Sequence, residues 1–163
     1  MIALKILKTL AAVVFLTANL YTLTPCFAAG QNQNTDHPWV RIQRVVDGDS
    51  VVLESGGQVR YIGIDTPEMS RPVEAYAREA AAFNRKLVEG RQVRLELDVE
   101  HRDKYNRLLA YVYLEDGTFV NAELIRLGFA RILTIPPNVR HADLFSRYQQ
   151  EAREARRGLW GEK

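Results

Sequence analysis

From Trp39 onward, apolar and polar residues alternate with a period near two, interrupted at short intervals by turn residues. Val40, Ile42, Val45 and Val46 set out a first strand, and Asp47-Gly48 is a turn signal. Residues 50–53 return as a second strand, Ser55-Gly56-Gly57 turns again, and 59–64 make a third. Thr66-Pro67 must end that strand, because proline fixes its own φ, lacks an N–H and pushes the preceding residue into the extended region.

The period then changes. Tyr76, Ala80, Phe83 and Leu87 recur at helical spacing within an alanine-rich stretch that Gly90 stops. Arg78, Glu79, Arg85 and Lys86 fall mostly off that stripe and read as a solvated face. Val93, Leu95 and Leu97 alternate as a fourth strand. Residues 108–114 form a continuous apolar strand, and Asp116-Gly117 turns out of it. Thr118 is placed to cap a short helix with Val120, Leu124 and Leu127 inward and Gly128 at its end. A short apolar run, 132–135, precedes Pro136-Pro137-Asn138. The spacing predicts a last helix over 139–157, with Leu144, Tyr148, Ala152 and Ala155 inward. Gly158 stops it, and Leu159 and Trp160 fold back onto the body. The basic residues Arg147, Arg153, Arg156 and Arg157 on that helix read as a solvated face.

Short strands with segregated helices make the class α+β. So small a meander solves its edge problem by closing, and the oligonucleotide-binding (OB) barrel has about five strands. The expected architecture is therefore a small five-stranded OB-type β-barrel with three packed helices. No repeat or second domain is visible.

Residues 1–38 follow a different pattern. Lys5 and Lys8 precede an apolar stretch over 10–23, and Cys26, Ala28 and Ala29 are small, the order of a secretory signal. The expectation is a signal peptide over 1–28, a flexible leader over 29–38 and one domain over 39–163, secreted or periplasmic after cleavage. A retained anchor is the competing reading, although the run is short for a span of about 20 apolar residues. Lipid attachment at Cys26 is a third, opposed by Pro25 directly before it. Cys26 is the only cysteine, so cleavage after Ala28 leaves no disulfide and the core must suffice.

Charge changes the picture in the same way. The chain has 22 Lys and Arg against 20 Asp and Glu; losing Lys5 and Lys8 leaves 20 against 20, a net of zero. General electrostatic attraction to a polyanion is not indicated, and any such binding must come from local placement.

Three segments hold polar residues that packing does not explain: Asp47-Gly48-Asp49, Asp65-Thr66-Pro67-Glu68 with Arg60 upstream, and 103–107. Asp-Thr-Pro-Glu alone is also compatible with an ordinary turn. A hard cation such as Ca²⁺ takes carboxylates, carbonyls and waters, a set that Asp49, Asp65 and the Thr66 carbonyl could supply. His37, His101 and His141 lack zinc-like spacing, and there is no Gly-rich phosphate loop. Paired carboxylates, a third carboxylate and two arginines suggest phosphoryl chemistry. One difficulty stands: Arg60 and Asp65 are an odd number of residues apart, so strict alternation puts them on opposite faces. A bulge is needed, and Gly63 is a plausible place for it.

The stretches Val-Val-Asp-Gly-Asp-Ser (45–50), Arg-Tyr-Ile-Gly-Ile-Asp-Thr-Pro-Glu (60–68), Asp-Lys-Tyr-Asn-Arg-Leu-Leu-Ala-Tyr-Val-Tyr (103–113) and Arg-Arg-Gly-Leu-Trp (156–160) resemble the staphylococcal nuclease (thermonuclease-like) family. The resemblance runs in order over nearly all of 39–160. It implies an OB-type barrel and Ca²⁺-dependent hydrolysis of DNA and RNA, cutting the P–O5′ bond and leaving 3′-phosphate ends. By position it implies Asp49, Asp65 and the Thr66 carbonyl as calcium ligands, with Asp47 in the outer shell. Glu68 would be the general base, Arg60 and Arg107 the phosphate clamp, and Lys104 and Tyr105 contacts to a neighbouring phosphate. The segment 133–137 lacks the family's base-stacking tyrosines, an interaction contributing roughly 1–3 kcal/mol per base.

A rival reading is a non-catalytic OB-fold module that binds nucleic acid or protein. Such modules lose carboxylates or arginines, whereas Asp49, Asp65, Glu68, Arg60 and Arg107 are all present. The expected protein is a monomer with DNA and RNA as substrates and no stable protein partner. Membrane contact is expected only if the N-terminal segment is retained or lipidated.

Overall fold

The first two strands and the start of the third form where they are expected, with two register shifts along the first. In a computed structural model, which describes residues 39–69 and 74–161, β1 (Trp39–Asp47), β2 (Ser50–Leu53) and β3 (Gln58–Tyr61) form an antiparallel meander. The signal peptide and leader expected over 1–38 lie outside the described residues. β5 (Gln92–Glu96) and β6 (Leu108–Leu114) pair antiparallel; β6 then runs parallel to β3, and β5 pairs with the start of β1. The order β1-β2-β3-β6-β5 closes the barrel and removes its free edges. Ile42, Val51, Val59, Val93 and Val112 fill the core and are fully buried.

The third strand is where pattern and structure part. Instead of one strand over 59–64, β3 ends at Tyr61 and β4 (Gly63–Asp65) leaves the barrel. There β4 pairs with β7 (Arg131–Leu133) as a separate two-stranded ribbon. Gly63 makes the break with φ +79°, a left-handed conformation that costs any other residue. Asn121, buried on α2 (Val120–Arg126), fills the gap in the ladder by donating to the Ile62 carbonyl (2.9 Å) and accepting the Val112 N–H (3.0 Å). A Cβ at Gly63 would lie 2.5 Å from the ring of Phe145, which is fully buried on α3 (Ala142–Glu154). Gly63→Ala must therefore combine backbone strain with overpacking. It is expected to cost about 2–4 kcal/mol, measured by urea unfolding.

The helices need three corrections. α1 (Ala77–Val88) buries Ala77, Ala80, Ala81, Asn84 and Val88, so the inward line is rotated from the expected Tyr76, Phe83 and Leu87, which are only half-buried. Alanine on the contact face lets the helix lie close to β1, and the larger residues pack along its flank. Thr118 does not cap α2: Phe119 precedes the helix, and Thr118 closes the hairpin instead, its N–H on Asp116 Oδ1 (2.9 Å). α3 is shorter than 139–157, and Ala155 is exposed rather than inward because the helix has ended before it. The expected fold-back of the C-terminus is present. A 3₁₀ turn over Gly158–Trp160 sets the Leu159 N–H on the Gly128 carbonyl (2.8 Å). No helix among the described residues is long and apolar enough to cross a membrane.

Candidate active site

The site is built where three irregular pieces of backbone meet. The β1–β2 turn presents Asp47 and Asp49, and Asp47 Oδ1 accepts the Asp49 N–H (3.2 Å). Gly48 leaves no room for a side chain: a Cβ there would lie 2.7 Å from the Thr66 side chain. The turn therefore packs directly on the Thr-Pro corner. The buried Asp49 carboxylate accepts the Thr66 N–H at Oδ2 (2.9 Å) and the Ser50 hydroxyl at Oδ1 (3.1 Å).

Arg60 joins this cluster from β3, where Ser50 is its cross-strand partner. Its Nη1 lies 2.8 Å from Asp49 Oδ2 and donates to the Ile64 carbonyl (3.0 Å), and its Nη2 lies 3.1 Å from Asp65 Oδ1. The parity problem is thus resolved by the break at Gly63, which turns β4 so that Asp65 swings to the Arg60 side. The two carboxylates differ in setting, with side-chain exposures of 6% for Asp49 and 46% for Asp65. Burial pushes Asp49 up to about 7, helped by the Asp47 charge, against the opposing pull of Arg60 and the Thr66 N–H.

A cavity of about 670 Å³ opens beside it, lined by Arg60, Asp103, Lys104, Tyr105 and Arg107. Asp103 organises the loop. Its Oδ1 accepts the Tyr105 and Arg107 N–H groups (both 2.9 Å), and its Oδ2 pairs with Arg107 Nε (2.7 Å). Burial opposes ionisation of Asp103, yet Arg107 and the two N–H donors hold it below the usual carboxylate range. Tyr105 is 68% exposed, with Lys104 Nζ 5.0 Å and Arg107 Cζ 5.6 Å from its ring centroid. Leu109, Leu133 and Ile135 form an aliphatic wall of the same cavity.

Of the residues singled out in the sequence, the structure joins Asp47, Asp49, Arg60, Asp65 and Thr66 in one bonded cluster and sets Lys104, Tyr105 and Arg107 around the adjoining cavity. Glu68 stands apart, exposed past Pro67. Its backbone exchanges bonds with Glu74 (N–H to Oε2, 3.3 Å; carbonyl to the Glu74 N–H, 3.1 Å), and among the described residues its carboxylate contacts neither arginine. His141 lies 3.4 Å from Glu96, and His101 is exposed. Sequence reasoning missed Asn138, which clamps the Glu100 backbone from both sides (2.8 Å each) and ties the 98–103 loop to the one before α3. Its only sequence signal is an amide after Pro136-Pro137, the composition of a turn.

The family model for "Staphylococcal nuclease homologue" matches residues 58–162. The chain belongs to the staphylococcal nuclease family. It is similar to a thermonuclease of Staphylococcus intermedius, 41% identical over 125 residues covering 73% of this chain and 74% of that one. A thermonuclease of Staphylococcus hyicus is 31% identical over 156 residues, covering 92% of both. An endonuclease of Bacillus subtilis, YncB, is 38% identical over 129 residues, covering 74% of this chain and 61% of that one. The segment matched to the staphylococcal nuclease family holds Arg60, Asp65, Glu68 and Arg107, while Asp47 and Asp49 precede it.

Proposed function

We propose that this protein is a calcium-dependent nuclease that hydrolyses phosphodiester bonds of DNA and RNA, cutting the P–O5′ bond to leave 3′-phosphate ends. The observation that carries the reading is the meeting of Asp49 and Asp65 at Arg60, on the edge of a cavity that Arg107 also lines. Relatives named thermonuclease and endonuclease support it.

The donor set fits a hard cation. Asp49 and Asp65 already share one positive group, Arg60. Among the described residues no three His, Cys, Asp or Glu side chains gather as a metal cluster. The remaining ligands would therefore be the Thr66 carbonyl and water, with Asp47 outside them, an oxygen mixture that calcium accepts. Calcium held there would neutralise phosphate charge and polarise a phosphoryl oxygen.

The chain's own groups supply the rest. Glu68 takes the proton of the attacking water as general base. Arg107, its Nε fixed by Asp103, offers its terminal nitrogens to the equatorial oxygens as charge grows on them. Arg60 holds Asp49 and the Ile64 carbonyl through Nη1 and Asp65 through Nη2; among the described residues its Nε–H and second Nη2 N–H make no hydrogen bond, and these are the donors it offers a phosphate. Lys104 and Tyr105 hold the neighbouring phosphate, and Leu133 and Ile135 give a base an aliphatic surface in place of an aromatic one. Residues 1–28 direct export, so the enzyme works in the periplasm or outside the cell.

Digestion of plasmid DNA and of RNA by the purified protein, with calcium and with a chelator, tests the reading; binding without cleavage would leave the non-catalytic module. Calcium is also expected to raise the melting temperature, as any ligand of the native state alone must. Asp65→Asn is expected to abolish both that rise and the activity. An unchanged calcium response in Asp65→Asn would reassign the ligands.

A further inference from the structure

We propose that Asn84, oriented by Tyr61, is a positioning residue that holds the calcium-binding turn from behind; this rests on the calcium reading above. The starting observation is a defect in the barrel. Val45 pairs with Val51 and Asp47 with Ser50, so Val46 is an extra residue in β1 and the ladder shifts register there. A bulge of this kind leaves backbone groups without cross-strand partners, and buried ones need partners from elsewhere.

α1 supplies them. Glu89 Oε2 accepts the Val45 N–H (3.0 Å), and Asn84 Nδ2 donates to the Asp47 carbonyl (3.3 Å). These bonds bracket the bulge immediately before Asp49. Asn84 is fully buried on the alanine-lined face of the helix, where an amide is costly unless bonded at both ends. Its other end is bonded, because Oδ1 accepts the Tyr61 hydroxyl at 3.1 Å. The amide's orientation follows from chemistry: a backbone carbonyl can only accept, so Nδ2 must face Asp47 and Oδ1 must face the hydroxyl.

Tyr61 is itself almost wholly buried and directly follows Arg60. The line Tyr61–Asn84–Asp47 therefore joins the strand carrying Arg60, the helix and the turn carrying Asp49. The last link is local, since Asp47 Oδ1 takes the Asp49 N–H. A helix that needed only to pack here would carry another small apolar residue at position 84. The amide's consequence is to fix the bulge, and hence the place of the Asp49 carboxylate, before any cation arrives.

The test is calcium affinity, measured by isothermal titration well below the melting temperature on the exported protein. Replacing both partners by apolar groups avoids leaving an orphan hydroxyl in the core, so Tyr61→Phe/Asn84→Leu is the main variant. It is expected to fold and to bind calcium at least about ten-fold more weakly, although Asp49 and Asp65 are untouched. The single variant Tyr61→Phe, which keeps the amide and loses only its orienting hydroxyl, leaves Asn84 Oδ1 unpaired in the core; it is expected to melt lower yet remain folded at the titration temperature, and to bind calcium measurably more weakly. This second variant decides the matter if the double variant does not fold. Amide exchange at Thr66, whose N–H rests on Asp49, is expected to quicken in the same variants without calcium. Calcium affinity within a factor of two of wild type in a folded variant overturns the inference and makes Asn84 a packing residue. Wild-type protein that binds no calcium at all sinks the calcium reading and this inference with it, whereas wild-type binding with an unaffected variant sinks only the inference.

Discussion

Glu68→Gln is expected to lower turnover by roughly 10²–10⁴ while leaving the melting temperature close to wild type. The amide keeps the shape of the carboxylate and cannot take a proton from water. Stability should hold because Glu68 is exposed and, among the described residues, its bonds run through its backbone, to Glu74, rather than through its carboxylate. Calcium affinity should hold as well, since Glu68 is not a proposed ligand. The neighbouring carboxylate makes the test sharper. Glu74 Oε2 touches the Glu68 N–H, so Glu74→Gln is the natural control. Turnover within a factor of a few in Glu68→Gln would remove it from the mechanism, and a large loss in Glu74→Gln alone would move the base to that residue.

The residues most legible in the sequence were those whose constraint is local. Asp47-Gly48 and the Thr66-Pro67 corner carry their reason within a few residues, and the structure has them as read; the first two strands also form, although β1 shifts register twice against β2. Parity along one strand shows that Arg60 and Asp65 need a bulge to meet, and the glycine at 63 is a plausible place for it; the structure breaks the strand there. What parity did not reveal is that the chain beyond Gly63 leaves the barrel altogether, because the partner that draws it away is β7, far along the sequence.

The misread helix faces share one physical origin. Helical period identifies a face to within about one residue, so α1 was turned toward Phe83 and Leu87 although its alanines make the contact. On α3 the stripe through Leu144 and Tyr148 missed the neighbouring Phe145, whose ring occupies the space left by Gly63. The buried amides are a stricter limit. Asn84, Asn121 and Asn138 each satisfy backbone groups 37, 59 and 38 residues away, respectively. Their partners are set by how the chain closes, which no local pattern records. Those amides mend the defects that make the site: the bulge before Asp49, the break before Asp65, and the loop that leads to Arg107.

Arg107→Lys separates the geometry of the phosphate clamp from its charge. The substitution conserves net charge, so electrostatic steering of substrate should survive. The guanidinium, however, divides its work in a way lysine cannot copy. Nε is committed to Asp103 Oδ2 at 2.7 Å, and among the described residues the terminal nitrogens make no hydrogen bond, which leaves them for substrate. A lysine has one nitrogen for both tasks. Paired with Asp103 it is withdrawn from the phosphate, and turned to the phosphate it leaves Asp103 without its partner. Loss of one aimed donor in the transition state is expected to cost about 2.7–4 kcal/mol, roughly 10²–10³ in turnover. The melting temperature should shift little, because Arg107 is partly exposed and its ion pair lies on a polar loop, where such pairs contribute about 1 kcal/mol or less. Calcium affinity should not change, since Arg107 contacts neither Asp49 nor Asp65. Turnover, calcium titration and thermal melting on one preparation of Arg107→Lys check all three. Near-normal turnover would mean that charge alone suffices at this position, and a collapse in melting temperature would make the Asp103–Arg107 pair a structural element of the loop.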